Sequence, residues 1–129
     1  MHIEHFGYMV QDPPAVTAWY CEHLGFRIAR KMDKPPHTHF LVDGSGRMML
    51  EIYNNPKAQV PDYAAMDPLV LHIAFSVDDV AQTRDRLLTA GATVQSELTV
   101  TPAGDQLLML RDPWGFAVQL CKRGQPMLP

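Results

Sequence analysis

The chain has little cysteine, little excess charge and no long apolar run, and each shortage removes a class of protein. Two cysteines among 129 residues, Cys21 and Cys121, do not make a disulfide framework. With no export signal expected, since Met1 leads directly into a strand-like segment, both read as reduced thiols of a cytoplasmic protein. No stretch approaches the roughly 18 consecutive apolar residues of a membrane helix. A net charge of −3 argues against a nucleic-acid surface. The one loose basic cluster, Arg27, Arg30, Lys31 and Lys34, reads as a solvated strand end rather than a phosphate site.

What is present is a globular composition, 47% hydrophobic and 19% charged, of a length that suits one domain, 1–129. The chain also repeats itself. Glu4 to Asp12 matches Leu71 to Asp79, each segment a predicted strand with one histidine and a terminal aspartate, at an offset of 67 (72 − 5). Asp12 and Asp79 are suited to cap helices, the first with Pro13 at its opening position. Val16, Trp19, Tyr20 and Leu24 then form one apolar stripe, and Val80, Thr83, Leu87 and Leu88 a weaker one. Gly25 and Gly91 are placed to end the two helices. Strands are expected at Phe26–Met32, His39–Val42 and Arg47–Tyr53, then at Val94–Thr101, Gln106–Arg111 and Phe116–Lys122. The expected fold is α+β: two tandem βαβββ units forming a cupped mixed sheet with helices on the convex face. Repeat 1 covers about 1–54, a linker with three prolines about 55–68, and repeat 2 about 69–123.

Side chains two apart share a strand face, which isolates a polar quartet. His5 stands opposite bulky Phe6 and Tyr8, and His72 opposite Ile73 and Phe75, beside small residues that leave room for a ligand. Glu51 opposes Leu50 and Ile52, and Gln119 opposes Val118 and Leu120, at an offset of 68 (119 − 51). A carboxylate in an apolar strand is costly unless paired or bound to metal. Two imidazoles, a carboxylate and an amide oxygen suit one divalent ion, Fe, Mn, Co, Ni or Zn, with open positions for substrate. Met9, Met49, Tyr53, Trp114 and Cys121 would line a small-molecule site, joined by His39 if it faces the cup. His37 and His39 are spaced for one strand face but no carboxylate joins them in a repeat-related place, and His23 sits at the polar edge of the first helix, so none of the three is expected among the metal ligands.

Ile3-Glu4-His5-Phe6-Gly7, Leu24-Gly25-Phe26, Leu71-His72-Ile73 and the run Asp112 to Leu120 resemble the vicinal oxygen chelate superfamily, over His2 to about Lys122. That group includes glyoxalase I, methylmalonyl-CoA epimerase, extradiol dioxygenases and bleomycin-binding proteins. The resemblance implies metal ligands at His5, Glu51, His72 and Gln119 and a homodimer. It also implies a lyase or isomerase that works through an enediolate, with Glu51 as the proton carrier. Gln119 departs from the pattern, since related enzymes usually carry glutamate there. Its amide can coordinate but cannot act as a base at neutral pH. The alternatives are Fe(II) extradiol chemistry and a binding protein for a metabolite or antibiotic.

Overall fold

The structure, a computed structural model, describes residues 1–128. It divides into two compact units, Met1–Pro61 and Asp62–Pro129. Unit 1 runs β1 (His5–Met9), α1 (Pro13–Leu24), β2 (Arg27–Lys31), β3 (His39–Val42) and β4 (Met49–Tyr53). Its sheet has the order β1-β4-β3-β2, with β1 parallel to β4 and the other pairs antiparallel. Unit 2 repeats this with β5 (Ile73–Ser76), α2 (Val80–Thr89), β6 (Thr93–Val100), β7 (Gln106–Arg111) and β8 (Ala117–Lys122), in the order β5-β8-β7-β6. The α+β, tandem βαβββ architecture is therefore as the sequence pattern implies, realised as two four-stranded sheets.

The helices begin where their caps dictate. Asp12 accepts the amide of Ala15 and Asp79 that of Gln82, each satisfying a donor the first turn leaves free. Gly25 closes α1 at φ 74°, a left-handed conformation that glycine adopts without a Cβ penalty. In α2 the cap is Ala90, one residue before Gly91 at φ 104°. The face α1 buries is Pro13, Val16, Thr17 and Tyr20; Trp19 and Leu24 are only half-buried. Trp19 instead meets the His23 ring, centroids 5.2 Å apart, which gives His23 a packing role. Tyr8, Leu41, Leu50 and Ile52 complete this core. In unit 2, Val80 and Leu87 pack over Leu108, Leu110, Val118 and Leu120, while Leu88 stays exposed.

Two expectations need correction. His72 precedes β5 rather than lying in it, because Asp67–Val70 still turns: the Val70 amide reaches Asp67 O at 3.0 Å, and His72 Nδ1 bonds to Pro68 O at 2.8 Å. His39 does not join the face of Glu51. Its register partner is Ile52, so it sits on the α1 side of the sheet, 5% exposed, with Nδ1 donating to His37 O at 2.7 Å.

Candidate functional site

Parallel pairing of β1 with β4 sets His5 beside Met49, Gly7 beside Glu51 and Met9 beside Tyr53. Partners in register point the same way, so these six residues share the face turned away from α1. His5 Nε2 lies 3.4 Å from Glu51 Oε2. Gly7 makes that approach possible, since a Cβ there would stand 2.8 Å from the same oxygen. Phe40, opposite Glu51 on β3, meets the His5 ring edge-on with centroids 5.6 Å apart. Alternation from His39 would have pointed to Phe40, had the register of β3 been known.

His5 is also held from behind. Its Nδ1 bonds to the Glu4 carboxylate, an acceptor, which leaves Nε2 as the nitrogen presented to Glu51. The Glu4 hydrogen bond raises the His5 pKa above 6.5; burial opposes this, and the Glu4 and Glu51 charges add to it. His72 is anchored alike: Nδ1 donates to Pro68 O, so its Nε2 carries the free lone pair. Two donors each about 2.1 Å from a tetrahedral ion lie about 3.4 Å apart. The His5–Glu51 spacing of 3.4 Å fits such a shared cation.

Two cavities flank this pair. One of about 690 Å3 is lined by Glu51, Tyr53, Thr38, Asn55, Lys57 and prolines 35, 36 and 56. The other, of about 210 Å3, is lined by Glu4, His5, Ala29, Arg30, Phe40 and Met49.

In unit 2, Gln119 pairs with Ala74 on one side and Met109 on the other. Register places Ala74, Gln119 and Met109 on one face, and His72 stands just before β5. Cys121 follows on that face, but it is 7% exposed and its thiol points to Phe75 O at 3.4 Å. Trp114 is half-buried in the β7–β8 turn, where its amide donates to Asp112 Oδ1. Unit 1 thus brings two of the four candidate ligands, His5 and Glu51, together on one face, while in unit 2 Gln119 lies in β8 and His72 at the entry to β5. Among the described residues, no group of three or more His, Cys, Asp or Glu side chains gathers as a metal cluster.

Sequence reasoning passed over Arg111. It is 8% exposed, and its guanidinium donates to Tyr63 O, Gly115 O, Met66 O and Gln95 Oε1 at 2.7–3.0 Å. Four neutral acceptors hold this buried cation, tying the 3-10 turn Tyr63–Ala65 to the β7–β8 corner. The available signal was a lone charge closing an apolar run, Leu107 to Leu110.

Comparison with known proteins gives these arrangements a context. The model of the Glyoxalase/Bleomycin resistance protein/Dioxygenase superfamily matches residues 2–120. A probable chloroplastic lactoylglutathione lyase of Arabidopsis thaliana is 29% identical over 126 residues, 93% of this chain. The chain spans 35% of the length of that curated relative. A glyoxalase family protein from Bacillus cereus superposes with a TM-score of 0.81 at 14% identity, covering 95% of this chain and 94% of its own. A glyoxalase I variant from Zea mays gives 0.75 at 24% identity, over 96% of this chain and 46% of its own. An antibiotic-binding protein from a Streptomyces species gives 0.74 at 20% identity, over 95% and 96%. At these identities the structures bear on the fold alone. Among the described residues no helix is long and apolar enough to cross a membrane.

Proposed function

The chain belongs to the Glyoxalase/Bleomycin resistance protein/Dioxygenase superfamily, and from that premise we propose that it is a divalent-metal-dependent lyase or isomerase of the glyoxalase type. The observation that carries this is the His5 Nε2–Glu51 Oε2 pair at 3.4 Å, on a face cleared by Gly7 and flanked by open cavities. By the repeat, the full ligand set is His5, Glu51, His72 and Gln119, its halves supplied by one chain or by two copies in a homodimer. The ion is Fe, Ni, Zn, Mn or Co, in keeping with mixed N/O donors. When bound it supplies Lewis-acid stabilisation of charge on neighbouring substrate oxygens.

Glu51 does the proton work in this reading. It lines the larger cavity, within reach of a small molecule, and the carboxylate can take a proton from a carbon next to a carbonyl and return it to the neighbouring one. Glu4 and Pro68 O fix the ring orientations of His5 and His72 so that both offer Nε2. Tyr53, Met9 and Met49 lie on Glu51's face and supply substrate contact. Reduced Cys21 and Cys121, both free, accord with a cytoplasmic setting.

The test is purification without chelators, elemental analysis, and assay of the hemithioacetal that a lactoylglutathione lyase would isomerise, with Glu51→Gln alongside. Wild type should carry a stoichiometric ion and exchange the substrate's carbon-bound proton with solvent, and Glu51→Gln should lose turnover at least 100-fold. Full turnover by a metal-retaining Glu51→Gln protein would remove Glu51 from the chemistry. No stoichiometric ion, with ligand affinity indifferent to loss of both histidines, would favour the binding-protein alternative.

A further inference from the structure

Strand β2 pairs with β3 in regular alternation only as far as Ile28, opposite Leu41; the next pair is Arg30 with Phe40, so Ala29 is bulged out. Regular alternation would have put Arg30 on the face of Ile28, toward α1. The extra residue shifts it to the other face, and bulges re-aim side chains in this way. Gly7, Glu51, Phe40 and Arg30 consequently form one rung across the open face of unit 1. At about 4.8 Å per strand, Arg30 and Glu51 stand two spacings apart, roughly 9–10 Å between backbones. Both Ala29 and Arg30 line the 210 Å3 cavity that holds His5, Phe40 and Met49. The Arg30 side chain has no hydrogen bond or ion pair among the described residues.

A planar guanidinium without a partner, lining one cavity with an aromatic ring, a thioether and His5, matches one ligand chemistry. We propose that Arg30 recognises an anionic group of the substrate, a carboxylate or a phosphate, seated in this cavity with its hydrocarbon part against Phe40 and Met49. This rests on the reading of His5 and Glu51 as the reacting centre, and it names the substrate class: a small oxyanion-bearing molecule whose charge lies a few bonds from the reacting carbon. The fork of Arg30 suits bidentate contact with either anion. The cavity is smaller than the roughly 300–1,000 Å3 of sites for drug-sized ligands, so it takes one fragment of the substrate. The basic cluster is thereby divided: Arg30 belongs to the open face, while Lys31 pairs opposite His39.

The test is calorimetric titration with benzoate, phenyl phosphate and the neutral benzamide, on the full chain as purified and after chelator treatment, so that no ion can hold the anion. Wild type should bind at least one anion saturably in both states and benzamide at least tenfold more weakly. The stronger of benzoate and phenyl phosphate identifies the natural group. Arg30→Gln should lose the preference for the anion at least tenfold, Arg30→Lys should keep part of it, and the exposed Lys34→Gln should match wild type. Circular dichroism checks that the variants fold. Anion binding unchanged in Arg30→Gln, equal binding of benzamide, equal loss in Lys34→Gln, or no saturable anion binding by wild type would each overturn the proposal. Metal content is measured on the same preparations. Arg30-dependent anion binding by a protein that takes up no ion would sink the metal reading and leave this one standing. Arg30-independent binding by a metal-loaded protein would do the reverse.

Discussion

Replacing Gly7 by alanine separates a functional gap from a structural one. The added Cβ would stand 2.8 Å from Glu51 Oε2, while its next neighbours, Tyr53 Cε1 at 3.6 Å and Glu51 Cβ at 3.7 Å, are ordinary contacts. Ordinary contact starts at 3.4 Å, so the carboxylate must yield by about 0.6 Å. Swinging the end of a flexible side chain off its rotamer costs about 0.5–1.5 kcal/mol. Removing glycine's freedom from the unfolded chain returns roughly 0.5–1 kcal/mol. Net stability should therefore change by less than about 1 kcal/mol. The displaced oxygen is the one facing His5 Nε2 at 3.4 Å. A misplacement of about 1 Å at a reacting centre costs around 100-fold. About half that shift should weaken metal affinity and turnover on the order of tenfold. Chelator-competition titration with Zn(II) or Ni(II), beside urea denaturation, reads both quantities. A Gly7→Ala protein that binds metal as wild type does would show that the gap serves nothing at Glu51. One destabilised by more than about 3 kcal/mol would show that the glycine is there for the backbone.

Arg111→Leu should cost about 3 kcal/mol in urea denaturation, because it strands the Tyr63, Met66 and Gly115 carbonyls that Arg111 now satisfies; a loss below about 1 kcal/mol would refute the clamp. Asp105 has its pKa lowered below 3.8, first by the Gly124 amide and then by Arg123. A depressed folded pKa gives stability that is present above the unfolded value and lost as pH falls through the folded one. Asp105→Asn should accordingly flatten the acid limb of stability below about pH 4, and coincident limbs for the two proteins would contradict it.

The repeat, the capped helices and the face of Glu51 were legible because they depend on local chemistry and on a two-residue period. Asp12 and Asp79 cap whatever follows them, and Glu51 between Leu50 and Ile52 declares its side without reference to a partner. What escaped depends on pairing. His37 and His39 share a period, but only the register of β3 on β4 shows that His39 faces Ile52 rather than the open side. Arg30 escaped for the same reason: a bulge inverts every face beyond it and leaves no mark in the periodicity. The apolar neighbours of His72 imply a strand, whereas the turn before it extends as far as Val70.

The bulge also shows how the two repeats differ. β6 carries the same irregularity, with Val94 opposite Leu110 and Ser96 opposite Met109, so the feature belongs to the βαβββ unit. Corresponding rungs can then be compared position by position. In unit 1 the rung reads Gly7, Glu51, Phe40, Arg30; in unit 2 it reads Ala74, Gln119, Met109, Ser96. Only the first contains a group that can accept a proton at neutral pH, and only the first contains a fixed positive charge. The second replaces both with neutral groups, Gln119 as long as Glu51 but Ser96 far shorter than Arg30, while its histidine is still oriented through Nδ1 as His5 is. The duplicated scaffold thus anchors both imidazoles through Nδ1 but carries the carboxylate and the guanidinium of this rung in the first repeat alone. On the proposed function, proton transfer and recognition of charge would fall to the first repeat, and the second would donate neutral ligands.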